Sequence, residues 1–181
     1  MTVLALNEKD IVIERLKQEH LILLSHFDCG SKIENEFLSK DALANQAGRL
    51  SETYLLFEKS NSKLISYITL TFGSFKLAGD RKLSGIKVKS KPYRIFANNM
   101  PCLLIAKLAT DKMEVGRGGA THLLKFAIQK AKEIDMLMSL RFLALDAYPD
   151  RVEFYQKKGF KIAYSPKKRD MTVALYLELV M

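Results

Sequence analysis

No stretch of this chain is long and apolar enough to span a bilayer. The greasiest runs, "LILLSHF" and "PCLLIAKLAT", fall well short of the roughly 18 apolar residues a membrane helix needs. The opening "MTVLALNEKD" has no basic leader followed by an apolar core, so a cytoplasmic location is expected rather than secretion. Cysteine is scarce. Cys29 and Cys102 are expected to be reduced in that compartment, and no Cys/His spacing resembles a metal site, so no metal is expected. There is no internal repeat and no low-complexity linker, and one domain over residues 1–181 is expected, large enough to bury a core without disulfides.

Acids are in short supply: 20 Asp and Glu stand against 29 Lys and Arg, a formal net charge of +9. The excess is local. Residues 76–94, "KLAGDRKLSGIKVKSKPYR", carry a net +6 and residues 157–169, "KKGFKIAYSPKKR", another +6, which leaves the rest of the chain at −3. Two concentrated basic segments are the footprint of a polyanionic partner, and equally of solvated lysine-rich loops. Composition is otherwise that of a soluble globular protein, 48% apolar and 27% charged.

What is present is a readable order of elements. "DIVIERL" alternates like a strand, and in "SKIENEFLSKDALANQAGRL" Ile33, Phe37, Leu38, Ala42 and Leu43 share one helical face. Ser31 and Glu34 have the spacing of a capping box. Strand-like "TYLLFE" and "KLISYITLTFGSF" flank the turn-forming "KSNS". "CLLIAKLAT" is an almost unbroken apolar run, as in a strand buried on both faces. Leu123, Leu124, Ala127, Ile128, Ala131 and Ile134 then form a helical stripe. "RFLALDA" is a strand, "PDRVEFYQKKG" a short helix ended by Gly159, and "MTVALYLELV" a closing strand. This order predicts a mixed α/β sheet flanked by helices.

Glycine is sparse, nine residues in all, yet three fall within "GRGG", Gly116, Gly118 and Gly119, at the head of the predicted long helix. Each glycine costs about 1 kcal/mol relative to alanine inside a helix. A helix start offers unpaired N–H groups and the positive end of its dipole, so bare backbone there makes a cradle for phosphate, with Arg117 able to add charge at the rim. The segment is neither G-x-x-x-x-G-K-[ST] nor G-x-G-x-x-G. Tight strand–helix packing is the competing explanation.

"LATDKMEVGRGGATHLLKFA" resembles the acyl-CoA-binding motif of the GNAT N-acetyltransferases, [Q/R]-x-x-G-x-[G/A], with Val115, Gly118 and Ala120 at the first, fourth and sixth positions. Valine departs from the Gln/Arg of the pattern. "FYQKKGF" matches the family's later F-Y-x-x-x-G-F, while Tyr148 and Arg151 replace the usual N-x-x-A before it. "HFDCGSKIENEFLSKDALANQ" followed by "SETYLLFE" resembles one GNAT branch, the toxins that acetylate aminoacyl-tRNA and are neutralised by ribbon-helix-helix antitoxins.

The resemblance implies a single-domain GNAT fold, its mostly antiparallel sheet splayed where acetyl-CoA binds. It implies backbone bonding of pantetheine by Leu108 and Ala109, and pyrophosphate on Val115, Gly116, Arg117, Gly118, Gly119 and Ala120. Tyr155 is implied as the donor of a proton to the departing thiolate. The expected partners are acetyl-CoA, aminoacyl-tRNA, a ribbon-helix-helix antitoxin and a second copy of the chain. Lys87, Lys89, Lys91, Lys167, Lys168 and Arg169 are the candidate tRNA contacts. The acceptor stays open between an RNA-borne α-amine and a small-molecule or protein amine, and an inert acyl-CoA- or nucleic-acid-binding module is the rival of another class. Cys29 is expected to be an inert buried thiol, His122 a helix-surface residue, and Glu114 no general base, because a carboxylate beside a phosphate site is repelled.

Overall fold

The computed structural model describes residues 4–76, 99–164 and 170–179. Among the described residues seven strands form one sheet: β1 (Ile11–Arg15), β2 (Glu52–Glu58), β3 (Lys63–Lys76), β4 (Asn99–Thr110), β5 (Phe142–Ala147), β6 (Lys161–Ile162) and β7 (Val173–Glu178). Their order is β1-β2-β3-β4-β5-β7-β6. The pairs β1–β2, β2–β3, β5–β7 and β6–β7 are antiparallel. The helices are α1 (Leu21–Leu24), α2 (Lys32–Glu36), α3 (Ala42–Ala47), α4 (Gly119–Met138) and α5 (Val152–Gln156). The mixed α/β class is as the element order predicted, and the mostly antiparallel sheet is as the resemblance implied.

The chain divides into two compact units, Met1–Thr71 with Ile105–Lys130, and Phe72–Leu104 with Ala131–Met181. In the first, Leu16, Leu38, Leu55 and Tyr67 are at most 1% exposed and pack with Phe27, Phe57 and Leu64, while Phe37 and Ala109 lean on the cluster. Each such aliphatic side chain contributes about 1.5–3 kcal/mol by leaving water. Buried Gln46 donates to the Leu16 carbonyl at 2.8 Å and accepts from the Thr53 N–H at 3.3 Å, so its amide is not left unpaired. In the second unit Phe75 stacks on Tyr176 at 5.3 Å and meets Phe142 edge-on at 5.2 Å, over Cys102, Ala144 and Ala163.

Three sequence expectations need correction. The helix predicted from Ser31 is broken by a π-turn over Phe37–Asp41. A π-turn takes up one extra residue, about 100° of helical rotation, so residues on either side no longer share one stripe. Leu38 and Ala42 are buried as expected, but Ile33 is 66% exposed. Nor does the capping box form: Ser31 makes no side-chain cap bond, and the Glu34 carboxylate pairs with Lys107 at 3.1 Å instead. Finally, β4 is not buried throughout. Cys102, Leu103 and Ile105 are buried, whereas Ala106 is exposed and 107–110 are half-buried. The stripe on α4 is borne out, with Leu123, Leu124, Ala127 and Ala131 buried.

Candidate functional site

The glycine turn lies between β4 and α4, in the first unit. Its approach is fixed by Asp111, only 6% exposed. The Asp111 N–H donates to the Ile65 carbonyl at 2.9 Å. Ile65 sits where the β2–β3 register slips, Leu56 pairing with Ser66 but Phe57 with Leu64, a bulge that re-aims the strand locally. The Asp111 carboxylate accepts from the N–H of Asp28 at 3.0 Å and of Met113 at 2.9 Å. Asp28 in turn accepts from the Lys112 ammonium at 2.6 Å, the Gly30 N–H at 2.8 Å and the Asn35 amide at 2.8 Å. These bonds, Lys112 foremost, hold the Asp28 carboxyl far below its ordinary range. Together they tie the loop before α2 to the end of β4.

The three glycines have two different reasons to be glycine. Gly116 and Gly118 stand at φ +90° and +96°, a left-handed conformation that costs a side-chain-bearing residue about 1–2 kcal/mol. A Cβ on Gly118 would meet nothing nearer than the His122 ring at 4.0 Å, so that side of the turn is open. Gly119 is different. A Cβ there would overlap the Ser66 hydroxyl and come within 3.1 Å of the Ile65 side chain, so its bareness serves close packing of α4 on β3. The packing explanation therefore holds for Gly119, and the open backbone for Gly118.

Arg117 needs the sharpest correction. Its guanidinium does not add free charge to the rim of the turn. Its side chain is 17% exposed and donates to Glu58 Oε1 at 2.5 Å, Glu58 Oε2 at 3.3 Å, Glu114 Oε2 at 2.5 Å and the Leu4 carbonyl at 3.1 Å. Glu114, buried beneath it, also accepts from the Lys63 ammonium at 2.5 Å. Burial alone would raise the Glu114 carboxyl, but Lys63 and Arg117 outweigh it and lower it. A carboxylate lowered by two cations is a weak base and ill suited to general-base work. His122, half-buried, donates from Nε2 to the Leu6 carbonyl at 3.1 Å, which gives it a structural partner. Val115 is 60% exposed, and Leu108, Ala109 and Ala120 are half-buried.

Tyr155 belongs to the second unit, on α5. The Phe160 N–H reaches back to the Tyr155 carbonyl at 3.1 Å and the Gly159 N–H to the Gln156 carbonyl at 3.0 Å. With Gly159 at φ +91°, this is a Schellman cap. Its apolar contact is present too, the Tyr155 and Phe160 rings lying 5.8 Å apart and Tyr155 meeting Phe154 at 5.1 Å. The spacing F-Y-x-x-x-G-F thus has a physical meaning: the glycine ends the helix and the last phenylalanine clamps the tyrosine. Burial pushes the Tyr155 hydroxyl up to about 12, with Arg151 pulling mildly the other way, so it holds its proton at neutral pH.

The Cys29 thiol bonds the Asn35 carbonyl oxygen at 3.0 Å and is raised chiefly by burial, which makes it a poor nucleophile. Lys87, Lys89, Lys91, Lys167, Lys168 and Arg169 lie outside the described residues. Among the described residues no His/Cys/Asp/Glu group is arranged to hold a metal, and no helix is long and apolar enough to cross a membrane. Sequence reasoning missed Asp28, Glu58, Lys63 and Asp111. The one available signal was Glu58 facing Lys63 across the "KSNS" turn, a cross-strand pair of opposite charge; in the structure Arg117 takes Glu58, and Lys63 goes to Glu114.

A seven-stranded sheet of this order, with a glycine turn between its fourth strand and the long helix, is the fold of the GNAT N-acetyltransferases. Within that class the chain resembles the tRNA-acetylating toxins. It is 26% identical over 141 residues to a tRNA-acetylating toxin of Mycobacterium tuberculosis (strain ATCC 25618 / H37Rv), a span of 77% of this chain and 79% of that one. A solved structure of AtaT complexed with acetyl-methionyl-tRNAfMet superposes with a TM-score of 0.77 at 24% identity, covering 93% of this chain and 95% of its own. A mutant AtaT toxin bound to the C-terminus of the antitoxin AtaR and acetyl-CoA gives 0.69 at 21% identity, covering 94% of each chain. No family model matches the chain.

Proposed function

We propose that this chain is an acetyl-CoA-dependent N-acetyltransferase that acetylates the α-amine of aminoacyl-tRNA and so blocks translation, as a cytoplasmic toxin. The observation that carries the reading is the turn at Gly116 and Gly118, left-handed and open on the Gly118 side, at the head of α4 in a chain similar to a tRNA-acetylating toxin. The residues suit the donor. The backbone N–H groups of Gly116, Gly118, Gly119 and Ala120 would hold its pyrophosphate at the helix start, that of Arg117 being bonded to the Glu114 carbonyl, and the half-buried end of β4 at Leu108 and Ala109 would align its pantetheine.

Bound acetyl-CoA supplies an activated thioester. An α-amine, with an ordinary pKa of about 7.7–8.0, is appreciably neutral at pH 7 and can attack without a strong base, unlike lysine near 10.4. The amine nitrogen bonds the acetyl carbon as the carbon–sulfur bond breaks. In this reading Tyr155 gives its proton to the departing sulfur, a role its protonated state suits, and the proton the amine sheds on becoming an amide restores the tyrosine through solvent. Orientation supplies most of the remaining rate. The partners of this reading are acetyl-CoA, aminoacyl-tRNA and a ribbon-helix-helix antitoxin, with a second copy of the chain completing a homodimer.

The test rests on the basic segments. Each phosphate contact makes affinity fall with salt, by a log–log slope of about 0.7–0.9. Acetylation of charged tRNA should weaken steeply between about 50 and 200 mM salt. Changing Lys87, Lys89 and Lys91 to glutamate, or Lys167, Lys168 and Arg169 likewise, should raise the tRNA KM while acetyl-CoA affinity stays put. Unchanged tRNA kinetics, or a preference for small polyamines, would replace this acceptor with a small amine.

A further inference from the structure

The cradle turn has a mechanical weakness. Its two left-handed glycines bracket a single side-chain-bearing residue, Arg117, and glycine dihedrals are soft. The direction of the N–H groups therefore depends on how firmly Arg117 is held. It is held from both ends. Its carbonyl accepts from the Leu6 N–H at 2.9 Å, and its N–H donates to the Glu114 carbonyl at 3.3 Å. Its guanidinium, with five N–H donors, makes four hydrogen bonds, three of them to Glu58 and Glu114. Two cations, Lys63 and Arg117, face two anions, so the cluster as a whole is neutral.

We propose that Glu58 and Glu114 are positioning residues for the phosphate cradle: through Arg117 they lock the turn between Gly116 and Gly118, and they keep its guanidinium from serving as a phosphate ligand. Phosphate recognition is then the work of backbone N–H groups and the helix start alone. The inference rests on the reading of this turn as the site for the phosphates of acetyl-CoA.

The two possible roles of Arg117 give opposite signs for one substitution. If Arg117 is a lock, Glu58→Gln loosens it and weakens acetyl-CoA binding by about tenfold, the scale of one charged hydrogen bond. If Arg117 is a phosphate ligand restrained by Glu58, the same change frees it and tightens binding. The readouts are calorimetric affinity for acetyl-CoA and kcat/KM with S-acetylpantetheine, a donor without phosphates. The expected pattern is weaker acetyl-CoA binding, a higher acetyl-CoA KM with kcat retained, unchanged S-acetylpantetheine kinetics, and no further loss when Glu58→Gln is added to Arg117→Met. Tighter or unchanged acetyl-CoA binding overturns the proposal. So does an equal loss with both donors, which would mean a general loosening of the fold. Glu58→Asp, which keeps the charge but withdraws it by one methylene, should give the same pattern at smaller amplitude, and it carries the test where Glu58→Gln does not fold. A wild-type chain that binds no acetyl-CoA overturns the proposed function itself, a result distinct from any of these.

Discussion

The turns at Gly116–Gly118 and at Gly159 share a backbone exception, a glycine near φ +90°, and put it to opposite uses. At Gly159 the N–H groups of Gly159 and Phe160 are bonded to the carbonyls of Gln156 and Tyr155, so the turn closes a helix and offers an anion nothing. Gly116 and Gly118 stand before the start of a 20-residue helix, whose first N–H groups have no acceptor within it. One turn is fixed by aromatic rings, the other by ion pairs with Arg117 at their centre. A left-handed glycine is therefore no sign of a phosphate site. What separates the two is whether the N–H groups around it are already taken.

The comparison breaks most visibly at Gly118. Gly118→Asp places a carboxylate beside the proposed phosphate position and should abolish acetyl-CoA binding in calorimetry while the protein remains folded. Unchanged affinity in a folded variant would return this turn to mere packing. At the other turn Tyr155→Phe should lower kcat about 10²-fold and leave acetyl-CoA affinity alone, a size usual for a general acid. Full activity would reduce Tyr155 to the partner of Phe160 in the cap. Gly119→Ala separates packing from binding within the first turn. Its methyl would overlap Ser66, and overpacking of this kind costs about 1–3 kcal/mol, so Tm should drop below that of the wild type. A Tm equal to that of the wild type would remove the packing role of Gly119.

The smallest expected effect is of pH. The Glu114 carboxyl is lowered in the folded chain, so its pairing with Lys63 and Arg117 stabilises the fold fully above the unfolded value near 4.3. That contribution is lost as pH falls through the lower folded value. Urea midpoints should decline below about pH 4, and Glu114→Gln should flatten the decline. The pair at the Gly159 turn, Lys157 with Glu153 at 2.7 Å, is solvent-exposed and adds little, and Tyr155 adds nothing to the acid limb because its raised hydroxyl titrates only in alkali.

Legibility followed the range of the interactions. The α4 stripe, the strands β5 and β7 and the Gly159 stop are set by neighbours within a few positions, and the sequence announces them. So does the motif around Tyr155, since a Schellman cap is local. Ile33 was misplaced because a π-turn shifts the phase of a helix without changing its composition. Ser31 and Glu34 had the right spacing for a capping box, but Lys107, 73 positions away, draws Glu34 off. The same limit hid the lock on Arg117: Glu58 lies 59 positions upstream, and nothing in "GRGG" points to it. Charge at the rim was a fair reading of an isolated arginine and fails because two carboxylates take it up, Glu114 three positions before it and Glu58 from 59 positions upstream.

The bond from Arg117 to the Leu4 carbonyl joins residues 113 positions apart. Contacts of such separation form late, since the chain between them must first be ordered and its closure entropy overcome. During synthesis the first residues leave the ribosome long before their partner exists, and they have nothing to settle on until the start of α4 follows. The cradle is thus completed only once the start of α4 has been made, and Tyr155 emerges later still. A chain that stops short of α5 would hold the proposed donor cradle and still lack Tyr155.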